Sequence, residues 1–350
     1  MPIAYLASFI KGFRIGYRKP EPLPPTVTLL RAMASTAAMI GDAQLLDSIL
    51  NRDVAASTML PSTRLGDRFK PLIPARLSVV LRLSKYIARK SGLSLRRKVR
   101  PYLTLSAAIA LVKALDASAS ARGLPTLDDV TDELAKDVEV KSTRGDEVIL
   151  CEKSEAVKLA GDIEVETPRP ASEHRNAIDR STGAARPFVV TYMSVKDMLL
   201  LVDAPAQLNG QLDRALRLLG EVGIGGLRSR GLGRFAVERA KLMPEDERAL
   251  EKVVPLNKAR HGRYALALGE LSLSSDTLDW RRSFFEVHVI AGYVGPPYAQ
   301  ALYGPLAIAQ AGAIVKVKEG IGRPIAETVG LKTRALSSMF IFNPLVVVGE

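Results

Sequence analysis

Apolar residues recur along this chain with two periods, and their order predicts a particular sheet. Tyr5–Ile15 reads as a first strand, followed by a Pro-rich loop, Lys19–Pro25, with Thr26 as a helix N-cap. Leu29, Leu30, Met33, Ala37 and Ile40 then repeat at helical spacing, and Gly41-Asp42 closes that helix. Leu103–Leu115 predicts another helix, and Thr126-Leu127-Asp128-Asp129 opens a shorter one. Phe188–Val195 and Met198–Val202 are rich in β-formers and predict a hairpin turning at Lys196-Asp197. Leu208, Leu212, Ala215, Leu216, Leu219 and Val222 mark one apolar face of a helix. A glycine-rich run follows, and Arg234–Glu238 reads as a closing strand. Strand–helix, then strand–strand–helix–strand, is the ferredoxin-like βαββαβ order, spread over residues 1–245. Pro244-Glu245-Asp246-Glu247 is polar and reads as a boundary. Beyond it, Tyr264–Leu273, Phe284–Gly292, Ala313–Lys318 and Met339–Val348 predict a second domain, 246–350, either degenerate ferredoxin-like or β-rich. The expected class is α+β, with tandem ferredoxin-like (RRM-like) domains.

Charge narrows the choice of partner. The chain has 350 residues, 47% hydrophobic and 25% charged, which is ordinary for two globular domains. Its net charge of +12 is not ordinary and favours a polyanion. Residues 76–120 alternate basic and apolar, with a cluster at Arg96-Arg97-Lys98-Val99-Arg100 that is either a solvated face or an extra RNA or subunit contact. A single cysteine, Cys151, excludes an internal disulfide or a cysteine-built zinc site and suits a reducing cytoplasm. The N-terminal run lacks the basic lead and cleavage site of a signal peptide, and no apolar run is long enough for a transmembrane helix.

The chemistry concentrates in Glu221–Arg234, which holds Gly223, Gly225, Gly226, Gly231 and Gly233, with Arg228, Ser229, Arg230 and Arg234 among them. Glycine permits positive φ and close backbone approach, and arginine offers a permanently charged fork for phosphate. A P-loop is excluded because no Lys-Ser or Lys-Thr closes the run. Gly231-x-Gly233-x-x-Ala236 has the letters of a dinucleotide fingerprint, but a helix precedes it and a strand follows, the reverse of what that site requires. A helix–glycine loop–strand unit at the edge of an RNA-binding domain fits both order and charge. An RRM-type stacking surface fits poorly, since the stacking positions hold Leu232 and Arg234 and only 5% of residues are aromatic.

Gly223-Ile224-Gly225-Gly226-Leu227-Arg228-Ser229-Arg230-Gly231-Leu232-Gly233-Arg234-Phe235 resembles the glycine-rich signature of the RAMP proteins of CRISPR–Cas systems. It is most similar to the Csm-type subunit that caps the crRNA 5′ end in type III-A complexes. Glu173-His174-Arg175-Asn176-Ala177-Ile178-Asp179-Arg180-Ser181-Thr182-Gly183-Ala184-Ala185 is similar to a second RAMP segment, which in that family belongs to the base of a thumb-like insertion lying against the crRNA. Phe13-Arg14-Ile15-Gly16 ahead of Leu29-Leu30-Arg31-Ala32 resembles the RAMP opening. Met59-Leu60-Pro61-Ser62 resembles a further segment, without its aromatic. The resemblance implies an insertion at about 55–185 and RNA contacts from the five glycines, Arg228, Ser229, Arg230, Arg234, Arg14, His174, Arg175 and Arg180. It implies crRNA, a large polymerase-like subunit and a neighbouring backbone RAMP subunit as partners.

Related crRNA-processing nucleases use histidine as a general acid–base. This chain has His174, His261 and His288, none with an evident partner base in sequence, and no metal-ligand spacing. The expectation is a non-catalytic subunit without metal or cofactor; the alternative is an endoribonuclease acting on crRNA precursor.

Overall fold

The computed structural model describes residues 1–16, 20–75, 77–93, 95, 99–122, 127–159, 163–178, 181–273, 276–293, 302–318, 328–333 and 336–349. Arg18, Lys19, Arg96, Arg97, Lys98, Thr126, Asp179 and Arg180 lie outside the described residues.

Strand β1, Ile3–Phe9, is shorter than its apolar run predicts, because the chain turns away from the sheet at Gly12, where φ is +127°. Helices α1, Thr26–Met39, and α2, Ala43–Leu50, follow. Thr26 is the first helical residue of α1 and not its cap; its N–H donates to Glu270 Oε2 at 2.5 Å, so a carboxylate from the far half of the chain closes this helix end. Asp42 caps α2 by accepting from the Leu45 N–H at 3.0 Å. A two-residue strand, β2, Ala55–Ala56, precedes a long excursion.

The excursion begins with β3, Ser62–Leu65, β4, Arg68–Pro71, and β5, Ile73–Pro74. It continues through α3, Ser78–Lys90, β6, Arg100–Leu103, α4, Leu105–Arg122, and α5, Leu127–Asp137. Strands β7, Val138–Ser142, and β8, Glu147–Glu152, the single turn α6, Lys153–Ala156, and β9, Val165–Glu166, lead to a long hairpin. The hairpin is β10, Arg169–Ile178, against β11, Ala185–Ser194. The expected pairing of Phe188–Val195 with Met198–Val202 is therefore wrong. The second run, β12, Asp197–Asp203, is buried on both faces, which requires two sheet neighbours; it lies between β1 and β2. Helix α7, Asn209–Val222, and strand β13, Phe235–Arg239, complete the unit.

The resulting antiparallel sheet has the order β13-β1-β12-β2, the arrangement of a βαββαβ ferredoxin-like unit, with β2 rather than residues 188–195 as its second strand. Alternation along β1 decides what covers each face. Tyr5, Ala7 and Phe9 pack with α1 and α7, while Ala4 and Leu6 pack with the excursion and the C-terminal strands. Both faces are sealed, so the sheet surface that an RRM offers to bases is unavailable here.

Residues expected to form a polar boundary instead make helix α8, Pro244–Ala249, with Asp246 fully buried. Strands β14, Val253–Pro255, β15, Tyr264–Ala267, β16, Leu271–Ser272, β17, Val287–Tyr293, β18, Leu302–Ala309, β19, Ile314–Lys316, β20, Thr328–Thr333, β21, Leu336–Ile341, and β22, Leu345–Val348, follow. They form sheets β14-β22-β15-β19, β16-β18-β17 and β20-β21. Among the described residues no α-helix follows α8, and the described part of this half is β-rich. Helix α4 packs on β15 and β22, and the core beneath it joins both halves. Among the described residues no helix is long and apolar enough to cross a membrane.

Candidate nucleic-acid interface

Three segments meet at the end of the sheet where β1 stops and β12 and β13 begin: residues 10–16, the hairpin and the glycine run. The run is a backbone clamp. Helix α7 ends because Gly223 adopts φ +81°, and its N–H still reaches the Leu219 carbonyl at 2.7 Å. Gly225, Leu227, Gly231 and Gly233 also have positive φ. The Ile224 N–H donates to the Gly233 carbonyl at 3.0 Å, which pinches the loop shut. The Gly233 N–H donates to the Gly12 carbonyl at 2.7 Å, and the Gly226 N–H to the Arg14 carbonyl at 2.8 Å. Phe13 and Met193 exchange backbone hydrogen bonds at 2.9 and 2.8 Å, tying the same turn to the hairpin.

These contacts divide the glycines by role. A Cβ on Gly233 would lie 2.0 Å from the Ile224 carbonyl oxygen, and one on Gly225 2.3 Å from that of Arg14. Gly223 would crowd Gly233 at 3.0 Å. Those three fold the loop against its own chain. Gly226 has only the Arg14 oxygen nearby, at 3.7 Å, and Gly231 has open space, so these two present bare backbone outward.

Between them, Arg228–Arg230 forms one 3-10 turn flanked by left-handed Leu227 and Gly231. Leu227 has φ +59°, an uncommon conformation for a leucine. Arg228, Ser229, Arg230 and Arg234 are all exposed. The Arg230 guanidinium lies 5.1 Å from the centre of the Phe188 ring on β11. Arg228, Ser229 and Arg234 have no side-chain partner among the described residues.

The remaining expected contacts separate. Arg14 is engaged with the hairpin, donating to the Thr191 carbonyl at 2.5 Å and to its Oγ1 at 2.8 Å. Arg175 donates to Glu173 Oε2 at 3.1 Å, and Lys11 to the same oxygen at 2.5 Å; these hydrogen bonds hold the Glu173 carboxyl below the usual glutamate range. His174 sits on the opposite face of β10 from Arg175, exposed beside Val189. Glu173–Ile178 and Ala185 lie in the outer half of the hairpin rather than at its base, since the strands pair from Arg169–Ser194 out to Ile178–Ala185. His288 Nε2 lies 2.9 Å from Glu21 Oε2, and His261 Nδ1 3.1 Å from the Lys318 carbonyl, so the three histidines occupy three separate environments.

Three features of the site carry no pattern in the sequence. Phe188 becomes a neighbour of the loop only through the hairpin's return, and Lys11 meets Glu173 only because that hairpin folds back beside it. An open groove of about 820 Å³ between α7 and the free edge of β13 is lined by Ile10, Arg217, Val222, Arg234, Phe235 and Val237. Arg217 could have been found as the exposed residue one turn before the glycine run.

A ferredoxin-like sheet with a helix–glycine loop–strand closure and an outgoing hairpin between its second and third strands defines the class. Residues 93–236 match the RAMP superfamily. A chain in a crystal structure of a Csm3–Csm4 subcomplex of the type III-A CRISPR–Cas interference complex shares its fold, with 13% identity, 99% of each chain covered and a TM-score of 0.54. A chain in a Csm1–Csm4 cassette bound to AMPPNP is 13% identical, with 100% of this chain and 98% of that one covered and a TM-score of 0.49. No curated protein sequence matches.

Proposed function

We propose that this chain is a non-catalytic subunit of a type III CRISPR–Cas effector complex that grips the 5′ handle of the crRNA and caps one end of the assembly. The observation that carries the reading is the Arg228-Ser229-Arg230 turn. Glycines packed on the chain's own backbone hold it outward, Gly226 and Gly231 flank it with no side chain to block close approach, and its side chains are available to phosphate. The sealed sheet faces leave the loops at this end as the surface for RNA. The neighbours are a large polymerase-like subunit and a backbone RAMP subunit, as in the Csm1–Csm4 and Csm3–Csm4 assemblies of similar fold.

The test is co-purification from cells together with a binding comparison. A discrete small RNA with a constant 5′ end should accompany the protein, and altering that end should weaken binding while altering the rest should not. Equal affinity for any single-stranded RNA would overturn the handle reading. Site-specific, metal-independent cleavage of crRNA precursor, lost on His174→Ala or His261→Ala, would overturn the non-catalytic one.

A further inference from the structure

The chain's positive charge is unevenly placed. Residues 76–100 contain nine lysines and arginines and no acid, against a net charge of +12 for all 350 residues. Within this stretch α3 is amphipathic: Val80, Leu83, Ser84, Ile87 and Ala88 are buried against β6, β7 and α5. Arg82 and Arg89 are exposed on the opposite side, with Lys85 half-buried between them. At about 1.5 Å rise per residue, these three present a charge roughly every 5 Å along one stripe. None of the three has a partner among the described residues. The nearby acid, Asp132, is already matched: Lys90 Nζ lies 2.9 Å from it, and the Tyr86 hydroxyl donates to it at 2.7 Å. Hydrogen bonds from Lys90 and Tyr86 hold the Asp132 carboxyl below the usual aspartate range.

We infer that the outer face of α3, through Arg82, Lys85 and Arg89, is a second RNA-backbone-binding surface, separate from the glycine loop. A docking face for a protein partner would be expected to carry an apolar centre within a polar rim and to be poor in lysine. Here Arg82, Lys85 and Arg89 surround a single exposed aromatic, Tyr86, whose hydroxyl is committed to Asp132, and the exposed Leu93 lies beyond the end of the helix. An unpartnered cationic stripe suits phosphates in sequence-independent contact.

The test is a salt titration with fluorescent long poly(U) RNA, which has no handle, comparing wild type with a triple variant, Arg82→Gln, Lys85→Gln and Arg89→Gln. Each lost phosphate contact removes about 0.7 from the slope of log K against log salt, so the triple variant should flatten it by about 2 and weaken binding on the order of tenfold or more. The preference for handle-bearing over handle-free RNA, which belongs to the glycine loop, should stay as in wild type. A control triple variant, Arg248→Gln, Lys252→Gln and Lys258→Gln, removes equal charge elsewhere and should leave the slope nearly unchanged. An unchanged slope in the α3 variant overturns the inference, as does equal flattening by the control. Release of an acidic protein from the α3 variant, with RNA binding untouched, overturns it in favour of a protein partner.

Discussion

Lys70 Nζ lies 2.8 Å from Asp246 Oδ2, and neither side chain has any exposed surface. This pair joins β4 of the excursion to α8. Glu155 Oε1 and Glu245 Oε1 stand 3.4 and 3.6 Å from the same ammonium, and Lys158 reaches Glu245 at 3.0 Å. Three carboxylates thus face two ammonium groups, one of them half-exposed. Burial pushes the Asp246 carboxyl up to about 7; Lys70 opposes the shift, and the Glu155 and Glu245 charges add to it. Burial works against the Lys70 ammonium, but the carboxylates around it hold its pKa above the usual lysine range.

Removing one member of such a cluster leaves buried charge uncompensated. Lys70→Met should lower the unfolding free energy by about 3–5 kcal/mol, read from denaturant unfolding. Adding Asp246→Leu to that variant should recover part of the loss, because an apolar pair needs no compensation. A single-variant loss below about 1 kcal/mol would mean that water reaches the cluster.

Glu270 is the second buried carboxyl. Burial pushes it up to about 7, opposed by hydrogen bonds from its own backbone and from Thr26. For Glu270 and Asp246 the folded pKa lies above the unfolded one, so between about pH 4 and 7 the folded protein holds protons that the unfolded chain has released. Their contribution is present at low pH and is lost as pH rises through about 7. The Tm should therefore fall by a few degrees from about pH 5 to 8, and Glu270→Gln should flatten that fall while keeping an acceptor for the Thr26 N–H. A wild-type Tm that climbs over this interval would contradict the assignment.

Much of the first sheet was legible because its signals are local. The apolar period of 209–222, the stop at Gly223 and the short closing strand identify α7, the loop and β13 without reference to the rest of the chain. What stayed hidden depends on distant partners. Ala55–Ala56 is too short for any period, yet it supplies the sheet's second strand. Strands β11 and β12 are sequence neighbours that look like a hairpin, but β12 is buried on both faces whereas most of β11 is exposed, and they belong to different sheets. Buried Asp246 is indistinguishable in sequence from a solvated acid beside a boundary. The glycine run announces a loop, but not which glycines fold it and which face outward.

That division is testable one glycine at a time. Gly233→Ala should be among the most destabilising substitutions in the loop: a left-handed residue with a Cβ costs about 1–2 kcal/mol before the clash with Ile224 is counted. Gly225→Ala should behave similarly, through its clash with Arg14. Gly226→Ala, with ordinary φ and no close neighbour, should leave the Tm within a degree or two. If Gly226→Ala nevertheless weakens RNA binding, bare backbone there touches the RNA. If it changes neither stability nor binding, Gly226 is outside the interface.

The arginines divide in the same way, and salt dependence separates the two groups. Arg228, Arg230 and Arg234 are free to meet phosphate, whereas Arg14 and Arg175 are held by Thr191 and Glu173. Replacing any one of the first three by Ala should weaken binding of handle-bearing RNA and flatten the slope of log K against log salt by about 0.7. Arg14→Ala should weaken binding by loosening the hairpin against the loop, with the slope nearly unchanged, because no phosphate contact is lost. Phe188→Leu removes the ring under Arg230, an interaction contributing about 0.5–1 kcal/mol at an exposed site. It should weaken binding several-fold while keeping the slope, since the charge remains and only its positioning is lost. If Arg14→Ala flattens the slope as much as Arg228→Ala does, the hairpin contact breaks when RNA binds and Arg14 moves to a phosphate. If Arg228, Arg230 and Arg234 each leave the slope unchanged, the RNA passes elsewhere and the glycine clamp serves only the fold.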